Sequence, residues 1–76
     1  MTSKEVVSIF EEYDLRRKKI FLLTGEDGRK FRRILLEKDR LTDDNVIYLR
    51  ELIENLYKYG FLVPAKALED WLEERI

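Results

Sequence analysis

Residues 42–60 carry a complete helix signature, and it constrains the fold of the chain more than any other feature. Thr42 offers a hydroxyl that can accept from a free backbone N–H. Asp43 and Asp44 follow, where the helix dipole favours negative charge. Val46, Leu49, Ile53, Leu56 and Tyr57 then recur at i, i+3, i+7, i+10 and i+11, one stripe of a helix. Gly60 supplies the left-handed residue that commonly ends one. The spacing predicts a helix over residues 43–59.

Both ends of the chain read the same way. Thr2-x-x-Glu5 has the spacing of a capping box, and Val6, Ile9, Phe10 and Tyr13 follow at helical intervals, predicting a helix near residues 3–13. Phe61-Leu62-Val63 forms an apolar joint, and Pro64 fits the first turn of a last helix. That helix should bury Leu68, Trp71, Leu72 and Ile76, with the single tryptophan as a core anchor. Between these ends the pattern is ambiguous. Ile20-Phe21-Leu22-Leu23 is a continuous apolar run that periodicity alone assigns to neither helix nor strand. Gly25-Glu26-Asp27-Gly28 is a turn, and Phe31, Ile34, Leu35 and Lys38 fit a short helix. The expected fold is therefore all-α: one domain over residues 1–76, a small antiparallel bundle of about five helices. A β-hairpin over residues 17–34 is the alternative for the middle.

Only three Gly and one Pro leave few places for tight turns, which favours helices. A chain of 76 residues buries a modest share of its surface, so its stability depends on economical packing. With 45% hydrophobic and 41% charged residues it is too apolar for a disordered segment. Its longest apolar run, four residues, falls far short of the roughly 20 a membrane span needs. The chain has no histidine and no cysteine, so the commonest general base, the commonest metal ligand and the thiolate nucleophile are missing. Gly25 and Gly28 match no phosphate-binding loop. Pairs such as Asp43-Asp44 and Glu73-Glu74 point in different directions on a helix and suit capping and solubility better than acid–base chemistry. The expectation is a non-enzyme with no cofactor, no metal, no small-molecule substrate and no membrane partner. With no signal peptide in view, it is expected to be intracellular and cytoplasmic.

Charge is strongly segregated. Residues 1–14 sum to −3, residues 15–40 to +6 and residues 41–76 to −4, giving the net −1. The basic middle holds two clusters, Arg16–Lys19 and Arg29-Lys30-Arg32-Arg33, which raise nucleic-acid binding as the alternative function. Against it, the helix with the best periodicity is acidic, whereas a reader of the major groove presents a basic helix. A ribbon–helix–helix dimer would need residues 17–24 as a strand, and Lys-Lys-Ile-Phe-Leu-Leu does not alternate as that strand should.

From Phe31 to about Leu72 the sequence resembles a death effector domain of the death-fold superfamily. The residues that carry the resemblance are Phe31-x-x-Ile34-Leu35-Leu36-Glu37, then Leu41-Thr42-Asp43-Asp44-Asn45, then Tyr48-Leu49-Arg50-Glu51-Leu52-Ile53. Lys19-Ile20-Phe21-Leu22 is similar to the family's Phe-Leu pair on its second helix. The resemblance implies an antiparallel Greek-key bundle, homotypic association in signalling complexes, and docking through Phe21 and Leu22. The chain departs from the family at Lys58-Tyr59-Gly60-Phe61, where an Arg-x-Asp-Leu motif is usual, and between Leu23 and Phe31, too short for the family's third helix.

Taken together, the expected function is protein–protein association, homotypic or adaptor-like, through complementary basic and acidic faces. The candidate partner-binding residues are Arg16, Arg17, Phe21, Leu22, Arg29, Arg32, Arg33 and Lys58. The expected partner is a protein, with another copy of the chain as one option and nucleic acid as the alternative.

Overall fold

The computed structural model describes residues 1–36 and 41–76, and every regular element among them is helical. The described residues form four α-helices: α1 (Ser3–Leu15), α2 (Arg29–Leu36), α3 (Asp43–Lys58) and α4 (Leu62–Glu73). A five-residue 3-10 helix, Ile20–Thr24, lies between α1 and α2. The hairpin alternative for residues 17–34 is not realised, because the 3-10 helix and α2 occupy the places of its two strands. The strand that a ribbon–helix–helix pairing needs at residues 17–24 is likewise absent among the described residues.

The helix ends follow the local chemistry. At α1, Thr2 Oγ1 accepts from the Glu5 N–H at 3.1 Å, and Glu5 Oε1 accepts from the Thr2 N–H at 3.4 Å, completing the capping box. At α3, Thr42 Oγ1 accepts from the Asn45 N–H at 3.2 Å. That helix ends in a Schellman motif: the Gly60 N–H reaches the Tyr57 carbonyl at 3.1 Å and the Phe61 N–H the Leu56 carbonyl at 2.8 Å. Gly60 takes φ +83, which a side chain would resist. The helix α2 starts two residues before Phe31, where the apolar spacing begins. Lys38, expected in that helix, and Glu37 of the family-like motif lie outside the described residues.

The most extensive pairing is α3 against α4. Across from α3, α4 meets α1, while α1 also carries α2 and the 3-10 helix, which in turn reaches α3. The basic α2 is thus fixed to the bundle chiefly through α1. The Cα radius of gyration, 11.1 Å, matches the ~11 Å expected of a globular chain of this length. Phe10, Ile20, Phe31, Leu49, Leu56 and Leu68 are fully buried. Truncating an aromatic here to alanine would cost about 3–5 kcal/mol.

Trp71 is buried as expected, and its Nε1–H donates to Ser3 Oγ at 3.0 Å, tying α4 to the start of α1. Ile76 departs from expectation: it lies beyond the end of α4 and is 61% exposed. Tyr57 also turns outward and donates its hydroxyl to Glu69 at 3.2 Å, while Leu52, outside the predicted stripe, is buried. The buried face of α3 is therefore a single stripe, Leu49, Leu52, Ile53 and Leu56, turned away from Tyr57 and toward Leu52. Among the described residues, no helix is long and apolar enough to cross a membrane.

Candidate functional site

The basic end of the molecule is built by two cations in left-handed backbone. Helix α1 ends in a second Schellman motif, in which the Arg17 N–H donates to the Asp14 carbonyl at 2.9 Å and the Lys18 N–H to the Tyr13 carbonyl at 3.1 Å. Glycine usually holds the position after the cap. Here Arg17 holds it with φ +60, at a cost of about 1–2 kcal/mol. Two residues later Lys19 is left-handed as well (φ +52) and starts the 3-10 helix, whose Leu22 N–H donates back to its carbonyl at 3.1 Å. These reversals bring Ile20–Thr24 against α1. Ile20 and Phe21 face inward and Leu22 faces out, 67% exposed.

Thr24 locks the far end of this turn. Its buried hydroxyl donates to the Phe21 carbonyl at 2.6 Å and accepts from the Gly28 N–H at 2.9 Å. Its carbonyl accepts from the Tyr48 hydroxyl at 2.9 Å, which joins the turn to α3. The Lys30 ammonium sits 4.5 Å from the Tyr48 ring centre. Burial pushes the Tyr48 phenol above its ordinary pKa, the neighbouring Glu26 charge adds to the rise, and the hydrogen bond at Thr24 opposes it.

Phe21 belongs to a trio of rings. Phe10 stacks on Phe31 with centroids 4.2 Å apart, and Phe21 stands 6.1 Å from Phe10 and 6.3 Å from Phe31. The Arg32 guanidinium lies 4.2 Å over the outer face of Phe21. It also donates to the Asp27 carbonyl at 3.2 Å and faces Glu11 at 3.5 Å. Gly28 passes close beneath, leaving no room for a Cβ. Around this point opens a cleft of about 360 Å³ lined by Asp14, Lys19, Phe21, Leu22, Asp27 and Arg32.

The sequence-derived candidates therefore divide. Phe21, Leu22 and Arg32 meet in the cleft. Phe21 does so as floor: it is 7% exposed, held by the other rings and covered by Arg32. Arg16 is at the end of α1, paired with Glu12 at 2.7 Å. Arg17, Lys18 and Lys19 are exposed and form no ion pair among the described residues. Arg29 and Arg33 are exposed on α2. Lys58 closes α3, with its ammonium 5.6 Å from the Tyr59 ring centre, and does not line the cleft. Asp14, Lys19 and Asp27 complete the lining and were not among the candidates; the available signals were Lys19 in the basic cluster and Asp27 between two glycines. Leu15, 83% exposed, extends the apolar surface at the start of the basic run.

Among the described residues, no group of three His, Cys, Asp or Glu side chains could hold a metal ion. No protein-family model, no curated protein and no solved structure matches the chain.

Proposed function

We propose that this chain is a protein-interaction module whose basic end docks on an acidic surface of a partner protein. The observation that carries the reading is Leu22, an exposed leucine lining the cleft, beside Arg17, Lys18 and Lys19, cations with no ion pair among the described residues. Burying an exposed leucine contributes about 1.5–3 kcal/mol, whereas rim charges contribute chiefly orientation and encounter rate. The hydrogen-bonded turn beneath Leu22 holds it in place before binding, so little conformational freedom is lost on docking. The reading assigns the chain no reaction: with neither His nor Cys, the cleft contributes shape and charge.

The resemblance of residues 31–72 to death effector domains supports the same reading and favours a like domain, including another copy, as partner. Nucleic acid is the second reading, favoured by the four cations of α2. Three of those are occupied within the molecule: Lys30 over Tyr48, Arg32 against Phe21, Glu11 and Asp27, and Arg33 in a contact of its own. A helix so engaged has little left for phosphates.

The test is a titration of the protein into a labelled synthetic helix of alternating Glu and Leu faces, with duplex DNA in parallel, at about 50 and 500 mM salt, conditions under which exposed charges are weakly and then strongly screened. The expected result is peptide binding that weakens with salt and DNA binding at least tenfold weaker. Binding of DNA alone would overturn the proposal in favour of the second reading.

A further inference from the structure

A second apolar surface, sharing no residue with the basic-end cleft, lies where α4 begins beside α1. The first two residues of α4, Leu62 and Val63, are 59% and 58% exposed, because Pro64, Ala65 and Leu68 take the inward positions. With Met1, Ile9, Lys66, Ala67 and Asp70 they line a groove of about 330 Å³. Two adjacent aliphatic side chains left in water beside an open groove are the mark of an interaction surface rather than of ordinary surface chemistry.

Shape and charge both select a second copy of this chain as the occupant. A two-fold contact sets a patch against itself, so the patch must hold both the projecting groups and the recess that takes them. Here Leu62 and Val63 project, and the small side chain of Ala67 leaves a recess in the same groove. A patch with net charge would repel its own copy. The charged side chains lining this groove are Lys66 and Asp70, 3.3 Å apart, and the Met1 ammonium is held by Glu74 at 2.7 Å. The lining is thus neutral, and across a two-fold axis Lys66 of each copy can answer Asp70 of the other. The basic end fails the same condition, because Arg17, Lys18 and Lys19 are exposed and form no ion pair among the described residues. A standard interface takes about 20–30 residues a side. The seven residues that line the groove are a fraction of that, which makes the contact a weak one.

We propose that the groove between α1 and α4 joins two copies of the chain in a weak two-fold dimer, Leu62 and Val63 of each entering the groove of the other. The contact uses none of the basic-end residues, so it stands or falls independently of the function proposed above. It leaves one basic end on each copy, so a dimer docking on a partner with two acidic sites gains avidity.

The test is the mass of the intact chain by sedimentation equilibrium, up to about 1 mM protein, where a dimer of millimolar dissociation constant is half formed. Circular dichroism checks the fold of each variant. The mass should rise with concentration and level at two copies, and the affinity should change less than about twofold between about 50 and 500 mM salt. Val63→Asp should weaken association at least tenfold, while Leu22→Asp and Ile47→Asp, at exposed positions outside the groove, leave it unchanged. Lys66→Glu and Asp70→Lys should each weaken it, because each sets like charges across the axis, and their equimolar mixture should restore it. A chain that stays monomeric at the highest concentration, or a mass that climbs past two copies, would overturn the proposal. Equal losses on Val63→Asp and Leu22→Asp would overturn it too, by assigning the association to the basic end.

Discussion

Replacing Gly28 by alanine tests the architecture beneath the basic end, and Gly25 provides the control. Both glycines have left-handed backbone, φ +84 and φ +86, so either substitution incurs the same strain of about 1–2 kcal/mol. Their surroundings differ. A Cβ at Gly25 meets nothing within 4 Å, whereas one at Gly28 falls 2.6 Å from Phe21 Cδ1 and 2.5 Å from Arg32 Nη1. Arg32 can swing aside, losing its place over the ring, a contact worth about 0.5–1 kcal/mol at a partly exposed site. Phe21 cannot, because Phe10 and Phe31 bound it, and forcing a packed ring to shift costs about 1–3 kcal/mol. Gly28→Ala should therefore be about 1–4 kcal/mol less stable than Gly25→Ala. A domain of this length has about 4–11 kcal/mol to lose. Urea unfolding followed by circular dichroism and Trp71 fluorescence resolves this, since a slope near 1 kcal/mol/M makes the difference roughly 1–4 M in midpoint. Equal midpoints would refute the close packing of Gly28 against Phe21.

Other outcomes follow from the same turn. Thr24→Val should destabilise by about 2–4 kcal/mol in urea unfolding, because it strands the Gly28 N–H and the Phe21 carbonyl, while Thr24→Ser retains both bonds and loses about 1 kcal/mol. Tyr48→Phe should cost about 0.5–1.5 kcal/mol near neutral pH through the lost bond to Thr24. The Tyr48 phenol is raised above its ordinary value of 10.0 in the folded chain, so its contribution is whole below that pH and falls as pH rises through and beyond it. Denaturation at pH 9 and pH 11 should accordingly show a smaller alkaline loss in Tyr48→Phe than in the wild type; an equal loss would count against the burial of the phenol. Leu22→Ala should leave thermal stability within about 0.5 kcal/mol of wild type, as expected for an exposed side chain with no structural duty.

The helices whose ends carry their own chemistry were legible in the sequence. Thr2 with Glu5, Thr42 with its aspartates, and Gly60 each mark a boundary that the structure keeps, and Trp71 lies in the core as its surroundings implied. Residues 15–35 were not legible, because their reversals rest on left-handed Arg17, Lys19 and Asp27 rather than on glycine alone. Nothing in residue type announces an arginine in that conformation. The run Ile20–Leu23 is equally mute: burial of Ile20 and Phe21 and exposure of Leu22 follow from where the 3-10 helix lies on α1 and α3, a tertiary fact. The cations of the candidate site were visible as a cluster. Which of them are engaged was legible only for Arg16, whose partner Glu12 stands four residues before it on α1; the rest depends on Glu11 and Tyr48 arriving from other helices.

The central claim is that Leu22 supplies binding energy at the basic end and that the exposed cations beside it supply encounter rate. Stopped-flow binding to the Glu/Leu helix separates the two, using Leu22→Asp and the double reversal Arg17→Glu/Lys19→Glu; Arg16 is left alone because Glu12 holds it. The account predicts that the double reversal slows association at least tenfold with little change in dissociation, and that Leu22→Asp speeds dissociation at least tenfold. Unaltered dissociation in Leu22→Asp, with circular dichroism showing an intact fold, would contradict it.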